Sequence, residues 1–79
     1  MQDRIHLTFP HDRVAEPVMC ELAKKFDIIF SIRRANVTHD AGWMDLQLEG
    51  SDDEIERVIA YLEARGVRVD PIEGDIIAG

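Results

Sequence analysis

Trp43-Met44-Asp45-Leu46-Gln47-Leu48-Glu49-Gly50 runs directly into Ser51-Asp52-Asp53-Glu54-Ile55, and the change of period between the two decides the fold. The first stretch alternates, with Met44, Leu46 and Leu48 on one side and Trp43, Asp45, Gln47 and Glu49 on the other. That is a strand with one buried face. Gly50 closes it. Ser51 to Glu54 then reads as a capping box, in which the serine accepts from a first-turn amide and the glutamate reaches back. Ile55, Val58, Ile59 and Leu62 recur at helical spacing behind it. Arg65-Gly66 ends this helix with a cation in the last turn and a left-handed glycine. Val67-Arg68-Val69-Asp70 is a short further strand, which Pro71 ends or confines to a sheet edge.

Upstream, the same two periods appear again. Arg4-Ile5-His6-Leu7-Thr8-Phe9 alternates polar and apolar, and Pro10 ends it. Val14, Val18, Leu22 and Phe26 recur every four residues, with Met19 and Ala23 beside them, so one helical face is apolar. Pro17 fits if that helix begins near Glu16, because first-turn amides have no intrahelical partner. Lys24 and Lys25 stand in its last turn, where cations complement the helix dipole. From Asp27 to about His39 the sequence reads as a long strand with Ile28, Phe30 and Ile32 inward. Thr38-His39-Asp40-Ala41-Gly42 is a polar turn with a glycine and predicts a hairpin back along Trp43–Glu49. The tail, Ile76-Ile77-Ala78-Gly79, is apolar and unassigned.

The resulting order, β-α-β-β-α-β, predicts an α+β fold of the ferredoxin-like kind: a four-stranded antiparallel sheet with both helices on one face. Seventy-nine residues leave room for a single domain over 1–79. Nine basic residues against sixteen acidic ones give a net charge of −7. Nucleic acid and anionic membrane are poor partners for such a chain, since both select a positive surface. No apolar run approaches the ~20 residues of a membrane helix. Met1-Gln2-Asp3-Arg4 contains no signal core, and the single cysteine, Cys20, suits a reducing compartment. A cytoplasmic location is expected.

With both helices on one side, the other side of the sheet is left open. Alternation gives it His6, Thr8, Ile29, Ser31, Arg33, Trp43, Asp45, Gln47, Glu49, Arg68 and Asp70. Ile29 and Trp43 are apolar among these, so either a solvated face or a homodimer surface suits this composition.

The chemistry-bearing residues do not assemble into an enzyme. His6, His11, His39 and Cys20 stand at no metal-ligand spacing. Asp52, Asp53 and Glu54 are accounted for by the helix start. Cys20 and His11 lack a third, orienting group. No glycine-rich phosphate loop is present. An RNA-recognition module would carry aromatics on the open face, whereas Phe9 and Phe30 point inward by alternation. No catalytic residue, metal or cofactor is expected.

A set of short pieces taken in order resembles the NIL domain, a small ACT-related module found at the C-terminus of methionine-importer ATPases and in small stand-alone proteins. The pieces are Phe9, Glu16-Pro17-Val18, Phe26, Gly42, Leu46-Gln47-Leu48-Glu49-Gly50, Ala60-Tyr61-Leu62 and Gly66-Val67. The motif that names the family, Asn-Ile-Leu, is here Ser31-Ile32-Arg33. The resemblance implies a small-molecule-sensing regulatory domain that takes an amino acid or sulfur metabolite such as methionine at a homodimer interface. Carried onto this chain, it marks Ser31, Ile32 and Arg33, with Phe9, Pro10 and His11 at the first loop; Trp43 joins them from its place on the open face. Arg33 can pair with Asp45 or Glu49 across the hairpin or meet an anionic group of a ligand. Replacement of the outer motif residues points to the alternative, an interaction or dimerisation module without a metabolite.

Overall fold

The computed structural model describes residues 2–11, 17–38 and 41–72. The elements are β1 (Gln2–Phe9), α1 (Val18–Lys25), β2 (Ile29–Val37), β3 (Gly42–Glu49), α2 (Asp52–Ala64) and β4 (Arg68–Pro71). They form one antiparallel sheet in the order β2-β3-β1-β4, the ferredoxin-like arrangement. Val14 and Glu16 of the expected first helix, His39 and Asp40 of the hairpin, and the Ile76–Ile77 tail lie outside the described residues.

The core forms where the two periods meet. Ile5, Leu7 and Phe9 of β1 and Leu46 and Leu48 of β3 bury against Val18 and Leu22 of α1 and Ile55, Val58 and Leu62 of α2. One cluster therefore joins both helices to one side of the sheet. Each fully buried Leu or Val contributes about 1.5–3 kcal/mol relative to exposure.

The helix ends follow local chemistry. The Ser51 hydroxyl accepts from the Glu54 amide at 3.1 Å. The Glu54 carboxylate does not complete the box as expected; it accepts from the Asp27 amide at 2.8 Å and from Arg57 at 3.2 Å. It thus ties the start of α2 to the chain entering β2. At the other end Gly66 has φ 85°, the left-handed region that favours glycine. The Val67 amide donates to the Leu62 carbonyl and the Gly66 amide to that of Glu63, a Schellman closure. Pro17 sits at the N-cap of α1, and its carbonyl accepts from the Glu21 amide.

Two expectations about β2 need correction. Ile32 is directly opposite Leu46, so it lies on the helix side as read, yet it is 52% exposed. Phe30 packs against the core, and every later residue of β2 is exposed along the outer strand of the sheet. The second correction concerns register: the pairing jumps from Ile32↔Leu46 to Arg34↔Asp45, a β-bulge that leaves Arg33 without an opposite residue. Arg34, rather than Arg33, stands on the open face across from Asp45.

Candidate functional site

The open face has a charged centre where alternation alone predicts solvated side chains. Asp45 is only 6% exposed although it points away from the helices. Its neighbours explain this. Register places His6 of β1 and Arg34 of β2 on either side of it. His6 Nδ1 lies 2.6 Å from Asp45 Oδ1, and Arg34 Nε and Nη2 lie 2.9 and 2.8 Å from Oδ2. An ionised carboxylate only accepts, so Nδ1 of His6 carries the donated proton. Trp43, one pleat along β3, stacks on the His6 ring at 5.6 Å between centroids. The Arg34 guanidinium stands 5.5 Å from the centre of the indole. His6, Arg34 and Trp43 together cover the carboxylate, and Asp45 joins three strands.

The electrostatics follow from this geometry. The His6 hydrogen bond lowers the Asp45 pKa most; burial opposes it, and the Arg34 hydrogen bond and charge add to the lowering. The net effect holds the carboxyl below its ordinary value. Further along the face, Arg68 Nε meets Asp70 Oδ2 at 3.0 Å on β4.

The residues singled out by sequence fall into separate groups. Ser31, Ile32 and Arg33 are exposed along β2, and β3 separates them from β1. Residues 12–16 of the first loop, expected to run beside the motif strand, lie outside the described residues. Phe9 is buried at the end of β1 opposite Gly42, Pro10 is half-buried and His11 is exposed. Phe9 lines an apolar cavity of about 220 Å³ with Val18, Met19, Cys20, Val37 and Met44. Trp43 belongs to the Asp45 cluster instead. An acidic cleft of about 420 Å³, holding Asp27, Glu49 and Glu54, lies between the start of β2 and the N-terminus of α2. Among the described residues no group of three His, Cys, Asp or Glu is arranged for a metal ion.

Sequence reasoning missed Arg34, Met19 and Met44 as site residues. For Arg34 the only available signal was the tandem Arg33-Arg34, which leaves open which arginine faces the acid.

β2 is an outer strand of the sheet, nine residues long, with the motif at its middle. Ile29 is 65% exposed on the open side, and Ile32 and Val37 are 52% and 51% exposed on the helix side. An edge with unpaired backbone groups and apolar residues on both faces invites another chain.

On the helix side, Tyr61 and Arg65 of the α2 end meet Glu21 of α1, at 3.0 and 2.6 Å. Phe26 packs edge-on against the Tyr61 ring. Burial raises the phenol's pKa most, and the bond to the Glu21 carboxylate raises it further. No described helix is long and apolar enough to cross a membrane.

The fold recurs in the C-terminal domain of an ABC transporter ATP-binding protein from Enterococcus faecalis, with a TM-score of 0.76 and 22% identity over 89% of this chain and 82% of that one. Among curated proteins the chain resembles the methionine import ATP-binding protein MetN of Helicobacter pylori strain J99, 32% identical over 76 residues. It also resembles MetN 1 of Listeria innocua, 32% identical over 73 residues. These matches cover 91% and 87% of this chain, which spans 23% and 22% of the two relatives. The NIL domain model matches residues 3–71, from β1 through β4, and the chain belongs to the NIL domain family.

Proposed function

We propose that this chain is a non-catalytic regulatory module that works as a pair and takes an amino acid or a related sulfur metabolite where two copies meet. The observation that carries the reading is β2: an outer strand whose far edge has no partner strand among the described residues, bearing Ser31-Ile32-Arg33, with Ile29, Ile32 and Val37 exposed along it. Similarity to methionine import ATP-binding proteins supports the metabolite class. The apolar cavity beside Phe9, Val37 and Met44 has room for an unbranched side chain, and among the described residues no charged group lines it. The α-amino and α-carboxylate groups of such a ligand would therefore be met outside it, and Arg33 supplies a cation at the strand edge.

The test is a thermal-shift screen over the common amino acids, homocysteine and S-adenosyl compounds, with sedimentation over a dilution series. A ligand at a hundred times its Kd adds about 2.7 kcal/mol. At ~4–8 °C per kcal/mol, that is a shift of roughly 10 °C or more. A selective shift that Arg33→Leu weakens establishes the sensor. A flat screen with concentration-dependent pairing favours the second reading, a dimerisation module without a metabolite, which the replaced outer motif residues support. A strict monomer with no ligand response removes both.

A further inference from the structure

The bulge in β2 falls where the open face holds its charged centre. In an unbroken register, Arg33 would follow Ile32 into the position opposite Asp45, Arg34 would turn to the helix side opposite Met44, and Asn36 would face Gly42. The observed register skips Arg33, gives Arg34 to Asp45, and keeps Ala35 and Val37 opposite Met44 and Gly42. Hydrophobic burial does little to choose between these, because every residue of β2 beyond Phe30 is exposed. An outer strand with so little buried surface has a weakly specified register. The strongest contact across this stretch is the Asp45 carboxylate, which takes two hydrogen bonds from Arg34 and is backed by His6 from the far side. Trp43 adds a second hold on the same guanidinium. Arg33, set aside by this choice, is exposed and makes no hydrogen bond or ion pair with the described residues.

We propose that Asp45 is a positioning residue. By capturing Arg34, it fixes the bulged register of β2 and so holds the Arg33 guanidinium outward at the sheet edge, where it is available to a carboxylate of an incoming ligand or partner chain. The clause about the carboxylate rests on the reading of β2 as the assembly and ligand edge; the clause about register does not.

The experiment compares Arg33→Ala, Arg34→Ala, Arg34→Lys and Asp45→Asn with the parent chain by cross-strand nuclear Overhauser contacts and amide exchange. Arg34 is exposed and Asp45→Asn is isosteric, so the fold survives these changes, with far-ultraviolet circular dichroism as the check. Arg33→Ala leaves the Ala35–Met44 and Val37–Gly42 contacts in place. Arg34→Ala and Asp45→Asn lose them, by a one-residue slip or by fraying, and protection falls roughly tenfold or more at Asn36, whose amide faces β3 in the alternation set by the Thr38–Ala41 bond. Arg34→Lys restores them in part, which a purely steric role for Arg34 would not require. Persistence of both contacts in Arg34→Ala and Asp45→Asn overturns the proposal, whatever any ligand does. Loss of register without any change in ligand response or pairing keeps Asp45 as the positioning residue and removes Arg33 from the regulatory reading.

Discussion

Asp45 shows how a residue that alternation assigns to solvent becomes the best-satisfied charge on its face. Replacing it with Asn removes the charge and puts a donor NH2 in place of one of the two oxygens that accept from His6 and Arg34, and Asp45→Asn should cost about 1–3 kcal/mol at neutral pH by chemical denaturation. The folded pKa is depressed, so this stability is present above the ordinary carboxylate value and is lost as pH falls through the folded value. The parent and Asp45→Asn curves should accordingly converge below roughly pH 4. A gap that stays constant down to strongly acid pH would contradict the pairing. Tyr61 offers a separate test, because it is the only tyrosine. Its near-ultraviolet titration should show one midpoint above the ordinary value near 10, moving back toward it in Glu21→Gln. Burial stays as the larger cause, so the return is partial.

At the scale of elements, the ends of α2 carry predictions that need no partner. Gly66→Ala places a methyl group in a left-handed turn and should lower stability by about 1–2 kcal/mol, and Ser51→Ala by about 0.5–2 kcal/mol, each measured by urea unfolding. Both sites were legible in the sequence, because capping chemistry is local. β2 was legible only in part. Ile28, Phe30 and Ile32 do lie on one side, but whether that side is covered depends on how the helices pack across the sheet, and no residue within β2 records that. The bulge was hidden for a related reason: Arg33 and Arg34 are identical side chains, and only the partner strand distinguishes them. Trp43 was placed on the correct face, whereas its stacking on His6 depends on a pairing between β1 and β3 that sequence spacing does not fix.

For the molecule as a whole, the order of elements and the core were readable because strand and helix periods change at sharp boundaries. The fold that results measures 35 × 27 × 17 Å, so its thin direction holds little more than a sheet and one layer of helices. A domain this small rests on few side chains. Leu46→Ala, at the centre of the sheet and fully buried, should cost about 2–5 kcal/mol. That is a large share of the total stability, and the melting midpoint should fall by roughly 10 °C or more. A ligand or second copy that binds the folded state would recover part of this loss, so a stabilising ligand found with the parent chain can be confirmed on the weakened variant.

The bulge also bears on how this chain tolerates changes in its length. Removing Arg33 would leave Ile32 opposite Leu46 and bring Arg34 next in line opposite Asp45, so every later pair in the hairpin keeps its partner. A one-residue deletion is therefore absorbed at position 33. At Gln47 the same deletion reverses the facing of everything on one side of the cut, sending Leu48 to the open side or Leu46 out of the core. The chain can shed or gain a residue in its outer strand but not in its central one, and length differences among its relatives are expected to gather at the Arg33 position.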